Sequence, residues 1–170
     1  MQKGAETLSE LVTSTHVARW KGQFMSSRKT MKTVLVIDDN PTIVELIKYA
    51  INLHGAYHVL VAYDGVQGLE RVYADKPDCV VIDVKMPHMD GYQLVRRLRS
   101  DAHTKNTPLI ILSALTREED QMTGLLLGAD AYLTKPFKPN ALNAAIERAL
   151  HLSPADRLQS AEGRVQRPEP

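Results

Sequence analysis

Five short apolar runs, each leading into a helix-length amphipathic stretch, constrain the fold more than any other feature of this chain. Val34-Leu35-Val36-Ile37 runs into Asp38-Asp39, and Cys79-Val80-Val81-Ile82 into Asp83. Leu109-Ile110-Ile111-Leu112 runs into Ser113, and Ala131-Tyr132-Leu133-Thr134 into Lys135. The fifth run is His58–Ala62. Strands that alternate with helices imply a parallel sheet covered on both faces, an α/β fold. In such a sheet the carboxyl ends of the strands share one edge, and ligands bind in the crevice there. Three carboxylates, a hydroxyl and an ammonium are therefore expected at one small site.

The helix signals agree with this reading. Asn40 is a good N-cap with Pro41 behind it, and Ile43, Leu46, Ile47, Ala50 and Ile51 follow at helical spacing. Further helices are expected from Asp64, near Gly91, over about 117–127 and over about 139–150, with His54-Gly55 closing the first. Residues 31–151 read as one domain. Residues 152–170 are mostly Ser, Pro, Gly, Gln and charged residues, which predicts a disordered tail. Residues 1–30 read as an N-terminal extension, flexible or weakly helical, with Thr7 and Glu10 forming a capping box.

Charge decides between classes of partner. The formal net charge of the 170 residues is +1, but residues 1–30 carry five Lys/Arg against two Glu, whereas residues 31–151 carry 13 basic and 15 acidic residues. A mildly acidic domain argues against a nucleic-acid surface. No apolar stretch is long enough to span a membrane, so a cytoplasmic protein with no membrane partner is expected. The single cysteine, Cys79, excludes an intrachain disulfide and reads as a small buried hydrophobe.

The polar residues at the strand ends suit phosphoryl chemistry. Neighbouring side chains of Asp38-Asp39 point apart, so one can ligate a cation directly and the other through water. Mg²⁺ takes hard oxygen ligands, keeps several waters and needs only one or two carboxylates; Asp83 can complete the set. An aspartate can also attack phosphorus and hold the group as an acyl phosphate. Such transfer needs alignment and charge neutralisation more than proton chemistry, and Lys135 and Ser113 offer an ammonium and a hydroxyl to the phosphoryl oxygens. Taken singly, Asp-Asp is a turn, Ser113 a helix cap and Lys135 a surface lysine; jointly they favour the site.

With these residues in place, the chain resembles the receiver domain of two-component response regulators. The resemblance rests on Val34–Asn40, on Val80–Gly91 with its M-P-x-M-D-G loop, on Leu109–Ala114, and on Gly128–Phe137 with its K-P-F, and it covers residues 31–151. It implies a flavodoxin-like, doubly wound, five-stranded parallel sheet in the order 2-1-3-4-5 with five helices. It implies that Asp83 takes a phosphoryl group from a histidine kinase. Asp39 would bind Mg²⁺ directly, Asp38 mainly through water, and the main-chain carbonyl of Lys85 would be a further ligand. Lys135 would pair with the phosphoryl group, and its bond to Pro136 would be cis. Ser113 and Tyr132 would form a switch that biases the surface of the fourth helix, fifth strand and fifth helix. The only activities of its own would be self-phosphorylation and slow self-dephosphorylation.

Lys85 and Leu115 stand at the two positions that tune dephosphorylation in the resembling family. Leu115 has no polar group to orient an attacking water, so a phosphoryl lifetime well beyond seconds is expected; decay of the purified phosphoprotein within seconds would contradict this. The stretch after the last helix is short, so output is expected through a separate protein, with a homodimer through the same surface as a compatible arrangement. A shuttle to a histidine phosphotransfer protein and a phosphate-independent binding module remain as alternatives. A haloacid-dehalogenase-like phosphatase fits poorly, because Asp38-Asp39-Asn40-Pro41-Thr42 lacks its second aspartate.

Overall fold

A computed structural model describes residues 31–53, 57–153 and 155–157 of the chain. The expected N-terminal extension, the His54-Gly55 turn and most of the expected tail lie outside the described residues. Five strands and five helices alternate: β1 (Lys32–Ile37), α1 (Pro41–Asn52), β2 (Tyr57–Ala62), α2 (Gly65–Asp75), β3 (Cys79–Ile82), α3 (Gly91–Ser100), β4 (Leu109–Ser113), α4 (Glu118–Leu126), β5 (Ala131–Thr134) and α5 (Pro139–His151). All strand pairs are parallel, in the order β2-β1-β3-β4-β5. That is the doubly wound sheet expected.

Continuous apolar strands are what a sheet covered on both faces requires, and alternate residues of each strand feed two cores. Val34, Val36, Val81, Ile110 and Leu112 pack with Ile47, Ile51, Leu142 and Ile146 of α1 and α5. Leu35, Ile37, Val80, Ile82 and Ile111 pack with Val72, Leu94 and Leu98 of α2 and α3. Cys79 is fully buried in the first of these cores, and burial pushes its thiol pKa far up, so it stays an inert thiol.

Local sequence sets the helix starts. The Asn40 side chain accepts hydrogen bonds from the Thr42 and Ile43 amides at 3.0 and 3.4 Å, with Pro41 at the first helical position. Asp64 caps α2 instead of belonging to it, accepting from the Gln67 amide at 2.8 Å. Asp90 and Gln93 form a reciprocal capping box on α3. Asp78 lies just ahead of β3, where its carboxylate accepts from Lys32 Nζ and the Thr33 amide at 2.7 and 2.8 Å.

The first described residues of the expected tail carry structure. Residues 155–157 are helical, and Arg157 Nε donates to Asp130 Oδ1 at 2.9 Å while its other nitrogen donates to the Ala149 carbonyl. Asp130 is nearly buried and also receives Arg99 and the Leu109 amide. A charge-assisted contact of this kind needs no apolar area, so the composition of the stretch gave no sign of it.

Candidate functional site at the carboxyl edge of the sheet

The sheet itself sets the positions of the site residues, because its hydrogen-bond ladders continue one residue past the strands. The Asp38 amide donates to the Ala62 carbonyl at 3.2 Å, the Asp83 amide to Ile37 at 2.8 Å and the Lys135 amide to Ser113 at 2.8 Å. All five strands thereby take part in fixing the backbones of three site residues relative to one another. The side chains meet above that edge. Lys135 Nζ donates to Asp38 Oδ2 at 2.5 Å and to Asp83 Oδ1 at 2.7 Å. The Lys135–Pro136 peptide is cis.

Both carboxylates are almost out of water, Asp38 at 2% and Asp83 at 7% exposure. Each has one further fixed partner. Asp38 Oδ1 accepts from the Asn40 amide at 3.0 Å, and Asp83 Oδ2 from the Lys85 amide at 2.6 Å. Burial, with the neighbouring Asp38 charge, raises the Asp83 pKa above the ordinary aspartate value despite the hydrogen bond from Lys135. Burial alone would lower the Lys135 pKa, but hydrogen bonds to Asp38 and Asp83 hold it above the ordinary lysine value. The centre is thus an ammonium clamped between two desolvated carboxylates that it does not fully neutralise.

Of the expected site residues, the structure brings together Asp38, Asp83 and Lys135. Asp39 is exposed, and none of the contacts within the site involves it. Ser113 is buried at 1%, and its hydroxyl oxygen accepts from the Leu115 amide at 3.2 Å. Lys85 contributes its amide to Asp83. Tyr132 is half-buried, with its hydroxyl donating to the Leu115 carbonyl at 3.1 Å, which sets it inward against the segment that follows Ser113.

Among the described residues no three His, Cys, Asp or Glu side chains stand close enough together to enclose a metal ion. Mg²⁺ demands less than enclosure, since it keeps much of its water. An oxygen-only donor set of two buried carboxylates sharing one ammonium carries excess negative charge. That chemistry fits a hard divalent cation.

Gly91 packs against the site backbone in a way that sequence spacing did not single out beyond its motif. A Cβ there would lie 2.3 Å from the Asp83 carbonyl oxygen and 2.9 Å from Val84 Cα, both backbone atoms. Gly91→Ala must therefore push the Asp83–Val84 backbone aside. It is expected to cost about 2 kcal/mol of stability in urea denaturation; a wild-type value would refute the close approach.

Comparison with known proteins follows the same outline. The family described as response regulator receiver domain matches residues 34–147. The alkaline phosphatase synthesis transcriptional regulatory protein PhoP of Bacillus subtilis is 39% identical over 122 residues, 72% of this chain and 50% of that protein. The DNA-binding dual master transcriptional regulator RpaA of Synechocystis is 37% identical over 131 residues, 77% of this chain and 53% of that protein. The chain spans about half the length of the curated relatives it matches. Among solved structures, the receiver domain of the Francisella response regulator 1452 superposes with a TM-score of 0.65 at 38% identity, covering 70% of this chain and 96% of that one. The chemotaxis protein CheY4 of Vibrio cholerae superposes with a TM-score of 0.65 at 32% identity, covering 71% of this chain and 99% of that one.

Proposed function

We propose a phosphoacceptor switch on a plain premise: the chain belongs to the response regulator receiver domain family of two-component signalling. In this reading an oxygen of the Asp83 carboxylate attacks the phosphorus of a phosphohistidine on a partner histidine kinase. The O–P bond forms, the P–N bond breaks, and its electron pair leaves with the imidazole. The observation that carries the reading is the Lys135 ammonium bridging Asp38 and Asp83, because it places a fixed cation where phosphoryl charge would arrive.

Each residue then has a defined task. The Lys85 amide on Asp83 Oδ2 orients the carboxylate and leaves Oδ1 to the Lys135 side. On acyl phosphate formation Lys135 exchanges a carboxylate partner for a phosphoryl oxygen. Asp38, Asp39 and Asp83, with the Lys85 main-chain carbonyl, would hold Mg²⁺, which when bound supplies neutralising charge to the phosphoryl oxygens. Ser113 gives up the Leu115 amide to reach the phosphoryl group, and Tyr132 follows the segment that this releases. The surface of α4, β5 and α5 is thereby biased between two arrangements and selects a separate output protein.

RpaA is named as a DNA-binding regulator. Residues 31–151 here carry 13 basic against 15 acidic residues, so we assign them no nucleic-acid contact of their own. Intact-protein mass after incubation with acetyl phosphate tests the reading. One phosphoryl adduct that appears with Mg²⁺ and disappears with EDTA is expected. No adduct with donor and Mg²⁺ in excess would overturn it in favour of a phosphate-independent binding module.

A further inference from the structure

We infer that Tyr92 is a positioning residue that ties the acceptor strand to α4, through its hydroxyl on the Asp120 carbonyl. The inference rests on the phosphoacceptor reading of Asp83. Its first support is the rigid junction between Asp83 and α3. The Gly91 amide donates to the Val84 carbonyl at 2.9 Å, the Gly91 α-carbon lies against the Asp83 carbonyl, and the Asp90–Gln93 box closes the helix start. The start of α3 cannot shift independently of the acceptor backbone. Tyr92 is the next residue. Its ring is half-buried against the second core, and its hydroxyl donates to the Asp120 carbonyl of α4 at 2.9 Å.

The second support is how lightly α4 is otherwise held. Gly124 is its one buried residue, Arg117 gives it no side-chain cap, and Met122 and Leu126 are exposed. The α4 backbone at Gly124 lies so close to Tyr132 and Ile111 that a Cβ would come within 2.9 Å of the ring and 2.7 Å of the isoleucine. Tyr132 holds the preceding segment through the Leu115 carbonyl. Burial, and then the neighbouring Tyr132 hydroxyl, raise the Tyr92 phenol pKa above its ordinary value. Two tyrosines thus hold a helix that buries little of its own surface, one at the Asp120 carbonyl and one against Gly124. A shift of Tyr132 alters the environment of Tyr92, and a shift at Asp83 reaches α4 through α3 as well as through Ser113.

Amide hydrogen exchange of residues 115–126 in the full chain, free and with Mg²⁺ and beryllofluoride as the acyl phosphate mimic, tests the coupling in Tyr92→Phe. The variant keeps the ring and removes one hydrogen bond. Resting exchange in α4 is expected to rise roughly fivefold, what one net hydrogen bond is worth. The change that beryllofluoride produces in α4 is expected to be largely lost, which a purely structural role for the hydroxyl would leave in place. A wild-type-sized response in Tyr92→Phe, or no α4 response in the wild type, overturns the inference. Additive losses in the Tyr92→Phe/Tyr132→Phe double variant do the same. Labelling of Asp83 by acetyl phosphate is scored separately and is expected to be unchanged in Tyr92→Phe; its absence from the wild type overturns the phosphoacceptor reading instead.

Discussion

Asp83→Asn is expected to abolish phosphoryl incorporation while making the protein more stable. The two effects have one cause. Asp38 and Asp83 share a single ammonium in a desolvated site, and the folded state raises the Asp83 pKa. Folding therefore favours the protonated form of Asp83. Stability associated with that proton is present at low pH and is lost as pH rises from the ordinary aspartate value through the folded one. At neutral pH the charged carboxylate is a net cost. Asparagine keeps the shape, removes the charge and leaves Lys135 paired one-to-one with Asp38. A gain of about 1 kcal/mol is expected at pH 7, shrinking as the pH falls, measured by urea denaturation across pH. Labelling at the wild-type rate would overturn the assignment of Asp83; a large loss of stability would overturn the charge argument.

Lys135→Met has the opposite sign. It leaves two buried carboxylates facing one another with no cation between them, and removing one side of a buried ionic contact costs several kcal/mol. A loss of about 3 kcal/mol is expected at neutral pH. The sign with pH follows from the like-charge pair. Protonating Asp83, whose pKa burial already raises, relieves the repulsion, so the variant recovers stability as the pH falls. Added Mg²⁺ should restore stability to Lys135→Met more than to the wild type, because a hard cation satisfies the same carboxylates. Equal Mg²⁺ responses in the two proteins would contradict the fit of the site to a divalent cation. The variant should retain some phosphorylation but lose the coupling between Asp83 and the α4 surface.

The opposite signs at Asp83 and Lys135 come from geometry that the residues alone foretell only in part. Convergence of Asp38, Asp83 and Lys135 was legible because parallel strands deliver their carboxyl ends to one edge, and the apolar runs before these residues are unbroken. The cap at Asn40 was legible for a similarly local reason: a side-chain acceptor and a proline precede an apolar periodic stretch. Alternation along the chain sets Asp38 and Asp39 on opposite sides, yet which of them faces Lys135 depends on how the turn after β1 is bonded. The Asn40 amide on Asp38 Oδ1 decides it.

Longer-range contacts left less trace. Tyr92 and Asp120 are 28 residues apart, and a tyrosine in the first turn of an amphipathic helix reads as core. Only the weakness of α4, whose sequence Glu118–Leu126 has a poorly defined apolar face, hinted that something outside the helix must hold it. Arg157 is a comparable case. Its stretch has too few apolar residues to predict structure, but one guanidinium on the nearly buried Asp130 suffices to dock it.

The most direct test of the account is to locate the phosphoryl group in the wild-type protein. Borohydride reduces an acyl phosphate to the corresponding alcohol, so labelling with acetyl phosphate and Mg²⁺ followed by reduction and peptide mass analysis reads the acceptor itself. The account predicts homoserine at position 83 and at no other aspartate, dependent on both donor and Mg²⁺. Homoserine at Asp38 or Asp39, or an adduct on a histidine or serine that borohydride leaves intact, would contradict it.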